Sequence, residues 1–348
     1  MNLKRIMKQY KAPLMKKYGN QLLPSHYKAM RAIEQCRTEH IGKITVHCKQ
    51  CDQTRTTPLS CGNRACPSCQ NHEVNQWLDK QTQKLLPVDY FMVTFTLPAQ
   101  LRTLTWHHQK KVYALFFSTV ASTLKTFTLN DDDLKGDAGL TAVLHTHTRR
   151  LDYHPHIHVL MPGGAINQKR RQWKKLKGHY LFNARALANV FRARFIAALK
   201  TQHLMIPDDI PSQWIANVQH VGQGLPALKY LSRYLYRGVI SEKNIIANTE
   251  GKVTFKYVNS ETKKTKYRTL KGEDFLYLLL KHTLPRGFRR VRDYGFLHAN
   301  AKRLLKLVQL VLHVMISPMQ QRKRPEFICP VCHSKMSIIC VTRATNSS

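Results

Sequence analysis

Acidic residues are scarce in this chain of 348 residues. It carries 20 Asp and Glu against 56 Lys and Arg, which gives a formal net charge of +36 at pH 7. An enzyme that acts on small metabolites has no use for such a field, whereas a polyphosphate is attracted by it. The composition therefore predicts a nucleic-acid partner. The alternative is a solvated basic surface, as in a ribosomal or membrane-associated protein.

The shortage of acids is greatest between Asp152 and Glu242. This stretch holds 13 Lys or Arg and only two acids, Asp208 and Asp209. A metal site built from several carboxylates is therefore disfavoured in this part of the chain.

Long apolar runs are also lacking, although 43% of the residues are hydrophobic. A bilayer span needs about 18 to 20 apolar residues, and the best candidate, residues 304–316, is interrupted by Lys306, Gln309 and His313. The N-terminal residues lack the apolar core of a signal peptide. We expect a cytoplasmic protein with no membrane partner.

In that compartment disulfides are rare, so the nine cysteines favour metal binding. Two Cys-x2-Cys knuckles lie 14 residues apart, and we expect them to complete one tetrahedral zinc site. Two further thiols nearby are candidates for a second site. The knuckles are Cys48 with Cys51 and Cys66 with Cys69, and the further thiols are Cys36 and Cys61. A small separate cluster lies further along the sequence, at Cys329, Cys332, His333 and Cys340.

The sequence His156-Ile157-His158 lies in a stretch that reads as a β-strand. Alternate residues of a strand share a face, so the two imidazoles converge while Ile157 and Val159 face a core. Neutral imidazoles are ligands for divalent metals. The pair therefore predicts half of a metal site.

A third ligand is expected from the preceding strand, residues 139–148. The link between the two strands has hairpin length. If the turn centres between residues 151 and 152, His145 faces His158 and His147 faces His156. Either His145 or His147 is then a candidate third ligand.

Two tyrosines, Tyr230 and Tyr234, lie one turn apart on a predicted helix, with side chains about 40° apart around its axis. Paired tyrosines commonly anchor a core. Beside a metal they also suggest phosphodiester cleavage through a covalent phosphotyrosine.

Basic residues follow the histidine strand and are expected to flank the metal and contact DNA phosphates, together with two arginines of the tyrosine helix. A mobile solvated loop is the alternative. The residues are Lys169, Arg170, Arg171, Lys174, Lys175, Lys177, Arg233 and Arg237.

The pattern of elements predicts an α+β fold, with an antiparallel hairpin carrying the histidines. Four units are expected: a helical and cysteine-rich DNA-binding module, a nuclease core, a hairpin with helices, and a basic tail with a small cysteine cluster. Their spans are residues 1–86, 87–245, 246–316 and 317–348. Within them we expect strands at 88–97, 139–148, 153–164 and 214–221, a hairpin of 253–258 with 264–270, and helices at 101–128, 182–199, 275–282 and 300–314.

Six motifs in this order resemble the two-tyrosine rolling-circle transposases of bacterial insertion sequences, the HUH class of the IS91-like group. They are residues 32–38, the Cys48 knuckle, and residues 60–70, 154–164, 230–234 and 284–295. The resemblance implies an HUH endonuclease core with a ferredoxin-like sheet and an N-terminal zinc-ribbon-like module. It also implies Mg²⁺ or Mn²⁺ at His156 and His158, with Tyr230 and Tyr234 as nucleophiles.

The activity that this resemblance implies is cleavage and strand transfer of single-stranded DNA through a 5′-phosphotyrosine. The chain departs from the family pattern at Ala65 and Tyr236, where similar sequences carry His. The alternatives are a rolling-circle replication initiator or relaxase, and a non-catalytic zinc-containing DNA-binding regulator. A transposase with an acidic triad is disfavoured by the shortage of carboxylates.

Overall fold

The computed structural model describes residues 2–69, 71–235, 239–259, 261–315 and 326–343, apart from the side chains of residues 71, 72 and 233–235. The helices are α1 Leu3–Tyr18, α2 Pro24–Gln35, α3 Asn71–Thr82, α4 Leu101–His107, α5 Gln109–Asn130, α6 Ala184–Thr201, α7 Gly224–Leu235, α8 Gly272–Leu280 and α9 Lys302–Val311. The strands are β1 Gly42–His47, β2 Thr54–Pro58, β3 Asp89–Thr96, β4 Leu140–His147, β5 Tyr153–Pro162, β6 Gly164–Asn167, β7 Gln172–Lys175, β8 Ile215–Gln223, β9 Ile245–Thr249, β10 Lys252–Val258, β11 Thr265–Lys271, β12 Val291–Tyr294, β13 Phe327–Ile328 and β14 Lys335–Arg343.

A five-stranded antiparallel sheet forms the centre of the molecule, in the order β12-β4-β5-β3-β8. The expected strands at 88–97, 139–148 and 153–164 are the three inner strands, and the expected strand at 214–221 is the outer strand β8. Strand β12 has no counterpart among the predictions, because its four residues give too short a pattern to read. The mixed architecture with antiparallel sheets agrees with the expected α+β class.

The two faces of this sheet carry different partners because side chains alternate along each strand. Ile157 and Val159 of β5 are fully buried in a core shared with α5 and α6, as the sequence predicted. Leu160 lies on the other face, in a cluster that includes Leu228 and Leu231 of α7. His156 and His158 alternate with the first pair, so they lie on the face covered by α7.

Helix α5 contains an 18-residue window that is long and apolar enough to span a bilayer. Half of that window is buried inside the protein, and Tyr113, Phe116 and Phe117 are completely buried. This is the behaviour of a core helix. The segment 304–316, which looked the most apolar in the sequence, contributes the shorter amphipathic helix α9 instead.

A second core joins the N-terminal helices to the middle of the chain. Side chains of α1, α2 and α8 pack with the sheet β11-β10-β9, in which Val253 pairs with Leu270. The predicted hairpin of 253–258 with 264–270 is thus confirmed, and β9 extends it by one strand.

The end of the described chain differs from the expected basic tail. Strand β14 pairs with β1, so that the sheet β13-β14-β1-β2 is made from both ends of the chain. Residues 326–343 therefore belong to the same structural unit as β1 and β2, which the sequence placed in a separate module.

Gly295 connects β12 to the turn that follows it and gives a first prediction. Its φ is +58°, and an added Cβ would lie 1.7 Å from the carbonyl oxygen of Ala138. Gly251 has φ +73° with no atom within 4 Å of such a Cβ. We expect Gly295→Ala to lower the free energy of unfolding by about 2 kcal/mol more than Gly251→Ala. Alanine is strained by the positive φ at both positions, but only at residue 295 does its Cβ also clash with a neighbouring atom. Urea denaturation of both variants measures this, and equal losses would refute the clash.

Candidate functional site

The imidazoles of His156 and His158 lie together on β5, with ring centroids 4.9 Å apart. They pair across the sheet with Thr96 and Thr94 of β3. The Thr94 hydroxyl is 2.8 Å from Nδ1 of His158, and Nδ1–H of His156 donates to the carbonyl oxygen of His154 at 2.7 Å. Both rings are thus oriented through Nδ1, which leaves Nε2 as the nitrogen able to bind an ion.

His145 of β4 completes this group. Its ring centroid is 5.1 Å from that of His156 and 4.5 Å from that of His158, and ligand nitrogens of the three residues lie within 4.8 Å of one another. Of the two candidates for a third ligand, His145 is the one that the structure brings to the pair.

The register expected for the pairing of β4 with β5 is wrong. His145 lies opposite His156, and Val143, not His145, lies opposite His158. A bulge follows His145, so that His147 pairs with Tyr153 and its ring lies 4.9 Å from that of His282. The physical reason is the turn, which is closed by the bond from the Thr148 amide to the Asp152 carbonyl and so centres on residue 150. The bulge changes the register by one residue only.

All three imidazoles are held in the neutral form, which is the form that binds metal. Burial lowers the pKa of His156 to about 4 and that of His158 to about 3. Burial, followed by the charges of the other two histidines, lowers the pKa of His145 well below its ordinary value. A set of three neutral nitrogen donors fits a divalent transition ion better than Mg²⁺, which prefers oxygen.

Tyr230 is the tyrosine that the structure places beside this group. Leu228 and Leu231 of α7 are buried against the sheet, and this rotation of the helix leaves Tyr230 at its edge, 37% exposed. The ring of Tyr230 meets that of His158 edge-on, with centroids 6.2 Å apart. The phenol ring is therefore open to solvent beside the buried imidazole group.

For the other residues predicted on the tyrosine helix, the structure describes the backbone only or nothing. Tyr234 and Arg233 lie in α7, with Tyr234 one turn beyond Tyr230, and their side chains are outside the described part of the structure. Tyr236 and Arg237 are outside the described residues.

Four cysteines of the N-terminal half form one cluster, with sulfur–sulfur distances of 3.6 Å between Cys36 and Cys69, Cys61 and Cys69, and Cys66 and Cys36. A zinc ion with four bonds of about 2.3 Å places its sulfurs roughly 3.8 Å apart. The cluster therefore has the dimensions of a tetrahedral zinc site. Its members are Cys36, Cys61, Cys66 and Cys69.

A second cluster joins the two ends of the chain. Sγ of Cys48 is 3.4 Å from that of Cys332, and Sγ of Cys51 is 3.4 Å from that of Cys329. The expectation that the two N-terminal knuckles share one ion is therefore wrong. The pairing of β1 with β14 carries the Cys48 knuckle to the C-terminal one, and the Cys66 knuckle meets Cys36 and Cys61 instead.

Each cluster holds a thiol whose pKa is lowered toward the thiolate form that zinc requires, and other thiols whose pKa is raised by hydrogen bonds with neighbouring cysteines. A hydrogen bond with the Ser334 hydroxyl lowers the pKa of Cys48 to about 6. Hydrogen bonds from Cys61 and Cys66 lower the pKa of Cys69. His333 and Cys340, the other members expected for a C-terminal site, are not part of either cluster.

The predicted basic stretch forms the hairpin of β6 and β7 and the residues after it. This hairpin begins after Pro162, where β5 ends. At about 3.3 Å per residue, its start lies roughly 17 Å along the strand direction from His158. The side chains lie on the surface, with Lys174 half-buried and Lys177 3.5 Å from Asp133. The expectation that these residues flank the imidazoles is not met, because β5 continues away from the site before the hairpin begins. They are Lys169, Arg170, Arg171, Lys174, Lys175 and Lys177.

Two residues of the site's surroundings were not predicted from the sequence to lie near the histidines. Thr94 contacts His158 only because β3 pairs with β5. Arg290 reaches the site because its carbonyl accepts from the Leu144 amide at 2.9 Å, next to His145. Burial, then the charge of His282 and then that of Arg290 lower the pKa of His147. Strand pairing alone reveals both residues.

Comparison with known proteins gives the family. Residues 5–97 match the family model described as "Transposase zinc-binding domain", and residues 139–304 match one described as "Putative transposase". The chain is 30% identical over 373 aligned positions to "Putative transposase y4qJ" of Sinorhizobium fredii, with 94% of each chain covered. This chain belongs to the IS91-like transposase family.

A second relative of this transposase is the transposase for insertion sequence element IS801 of Pseudomonas savastanoi pv. phaseolicola. It is 26% identical over 291 aligned positions, covering 75% of the present chain and 68% of its own. Among solved structures, a bacterial tRNA(His) guanylyltransferase (Thg1)-like protein in complex with ATP matches 62% of the chain and 100% of its own at 13% identity. The TM-score of that match is 0.23, which is too low to support an argument.

The cluster that joins the chain ends can be tested through the zinc content of the transposase. Cys332→Ala should lower the zinc bound from two ions per chain to one, because a site with three thiolates and no fourth ligand binds zinc more weakly. Cys340→Ala is the matched control, since Cys340 is exposed and lies outside both clusters. Elemental analysis of the purified variants measures the ratio. Two ions retained in Cys332→Ala would exclude the joined site.

The choice between His145 and His147 gives a second test of this site. We expect His145→Ala to weaken Mn²⁺ binding by roughly ten-fold or more, in line with the loss of a ligand. His147→Ala should leave Mn²⁺ binding unchanged, because its ring lies against His282 instead. Titration of each variant with Mn²⁺, followed by electron paramagnetic resonance, compares them. The reverse order of effects would assign the third ligand to His147.

Proposed function

We propose that this transposase cleaves and rejoins single-stranded DNA through a covalent 5′-phosphotyrosine formed on Tyr230, in rolling-circle transposition. The observation that carries the proposal is the exposed Tyr230 ring 6.2 Å from His158, within a group of three neutral imidazoles. Buried anchoring tyrosines, the alternative reading of the motif, are not 37% exposed beside a ligand set.

In the proposed step the phenolic oxygen of Tyr230 forms a bond to phosphorus, and the bond from phosphorus to the 3′ oxygen breaks. The phenolic proton is lost to a base, and the leaving 3′ oxygen takes up a proton to become a free hydroxyl. The phosphotyrosine conserves the energy of the broken diester, so the reverse attack by another 3′-hydroxyl rejoins a strand without ATP.

The chemistry requires activation, because a tyrosine of pKa about 10 is almost entirely protonated at pH 7. The residues that would hold Mg²⁺ or Mn²⁺ are His145, His156 and His158, and a bound ion would polarise the scissile phosphate. Thr94 and the His154 carbonyl position two of these rings through Nδ1.

Tyr234 has a supporting role in this proposal. It follows Tyr230 by one helical turn on α7. A second nucleophile on the same helix allows a second strand to be cut while the first remains attached, which strand transfer between element and target requires. We also assign phosphate contacts to the exposed β6–β7 hairpin and to Arg233 and Arg237.

The tyrosine assignment predicts the outcome of conservative substitutions. Tyr230→Phe should reduce the covalent protein–DNA adduct at least about 100-fold, because it removes the nucleophile and keeps the ring packing. Tyr230→Phe combined with Tyr234→Phe should form none. The measurement is incubation with labelled single-stranded element ends and Mn²⁺, followed by a denaturing gel.

Tyr180→Phe serves as the control, since Tyr180 is exposed and not on α7. It should form adduct at the wild-type level. A double variant of Tyr230 and Tyr234 that still becomes linked to DNA would rule out the tyrosine mechanism.

A further inference from the structure

A groove of about 720 Å³ runs between α3, α9 and β12, outside the imidazole group. Its volume is that of a site for a small ligand or a few nucleotides, and is too small for a duplex. One wall comes from the last turns of α3, the opposite wall from α9, and the floor from residues 289–293.

The lining of this groove is strongly positive. Seven of its residues are Lys or Arg, and its one acid, Asp293, already accepts from Lys84 at 2.6 Å, from Gln81 and from Thr141. In the described part of the chain, Lys80, Lys302 and Lys306 are exposed and have no acidic partner. Like charges gathered in one cleft repel one another unless a polyanion occupies it.

The cysteine cluster of the N-terminal half builds part of this groove. Arg64 lies between Cys61 and Cys66, and its guanidinium donates to the carbonyl oxygen of Phe288 at 2.9 Å. Helix α3, which supplies Trp77 and Lys80, begins two residues after Cys69. A metal in that cluster would therefore fix one wall of the groove.

Shared residues connect the lining of this groove to the surroundings of the imidazole group. Arg64 and Arg290 line both this groove and a second cavity of about 400 Å³. Arg290 lies on the strand edge beside Leu144, one residue from His145. His282, whose ring neighbours that of His147, lines the second cavity.

We propose that this groove binds the phosphate backbone of the single DNA strand that enters the tyrosine site, with Trp77 as a surface for one base. Lysines and arginines at the surface of a cleft bind phosphates without regard to sequence, and an aromatic ring among them provides stacking. The inference rests on the proposed function for its substrate, and it assigns part of the strand's path to Trp77, Lys80, Lys302 and Lys306, which lie outside the sequence motifs.

The test compares two triple variants of equal charge. One combines Lys80→Gln, Lys302→Gln and Lys306→Gln in the groove. The control combines Lys252→Gln, Lys264→Gln and Lys266→Gln, which are exposed on β10, in the turn before β11 and on β11. Binding of labelled oligothymidylates of about 6 and about 20 nucleotides is followed by fluorescence anisotropy at several salt concentrations.

The groove variant should bind the longer oligonucleotide roughly ten-fold more weakly than the control, and its salt dependence should be flatter by about 2 in slope, at about 0.7 per lost contact. Equal slopes for the two triple variants would overturn the proposal. Trp77 gives a second readout, because bound DNA should quench its fluorescence. Quenching of equal size in Trp77→Phe would contradict the stacking role.

Failure of this proposal is distinguishable from failure of the proposed function. Adduct formation on element ends depends on Tyr230, whereas binding of oligothymidylate depends on the groove. If the wild-type protein forms no adduct while the groove variant loses affinity for oligothymidylate, the tyrosine chemistry alone is refuted. Adduct formation with an unchanged salt slope in the groove variant would refute the groove alone.

Discussion

The antiparallel pairing of β4 with β5 is the interaction on which the candidate site depends. It places His145 opposite His156 and so adds a third imidazole to the pair on β5. The bulge after His145 then turns His147 toward His282, away from the group. A register shifted by one residue would move the imidazoles of one strand into the core of α5 and α6, where no ligand could reach them.

Cysteine clusters give the fold a second kind of constraint. One ties the loop of Arg64 and the start of α3 to the N-terminal helices, and the other ties the two ends of the described chain into one sheet. Each would convert metal binding into folding free energy. The zinc-binding module of this transposase is thus continuous with the DNA-binding surface proposed above, because Arg64 and Trp77 line the groove.

The net charge of the chain attracts nucleic acid at long range, whereas the fold determines where it binds. A net charge of +36 attracts any polyanion over long distances, without selecting a path. The path is set by where lysines and arginines line a concave surface. The β6–β7 hairpin was the most obvious basic run in the sequence, yet the cleft between α3 and α9 gathers its cations from four separated segments.

The sequence by itself determined the class of the fold, the family, the paired imidazoles, the tyrosine helix and the presence of metal-binding thiols. These follow from local spacing: period two places His156 and His158 on one face, and two residues between cysteines form a knuckle. Only the tertiary structure decided that His145 joins the pair, that Cys48 and Cys51 meet Cys329 and Cys332, and that Arg290 lies beside the site. Each of these contacts depends on the register between distant strands, and a bulge or a strand of four residues leaves too little pattern in the sequence to fix that register.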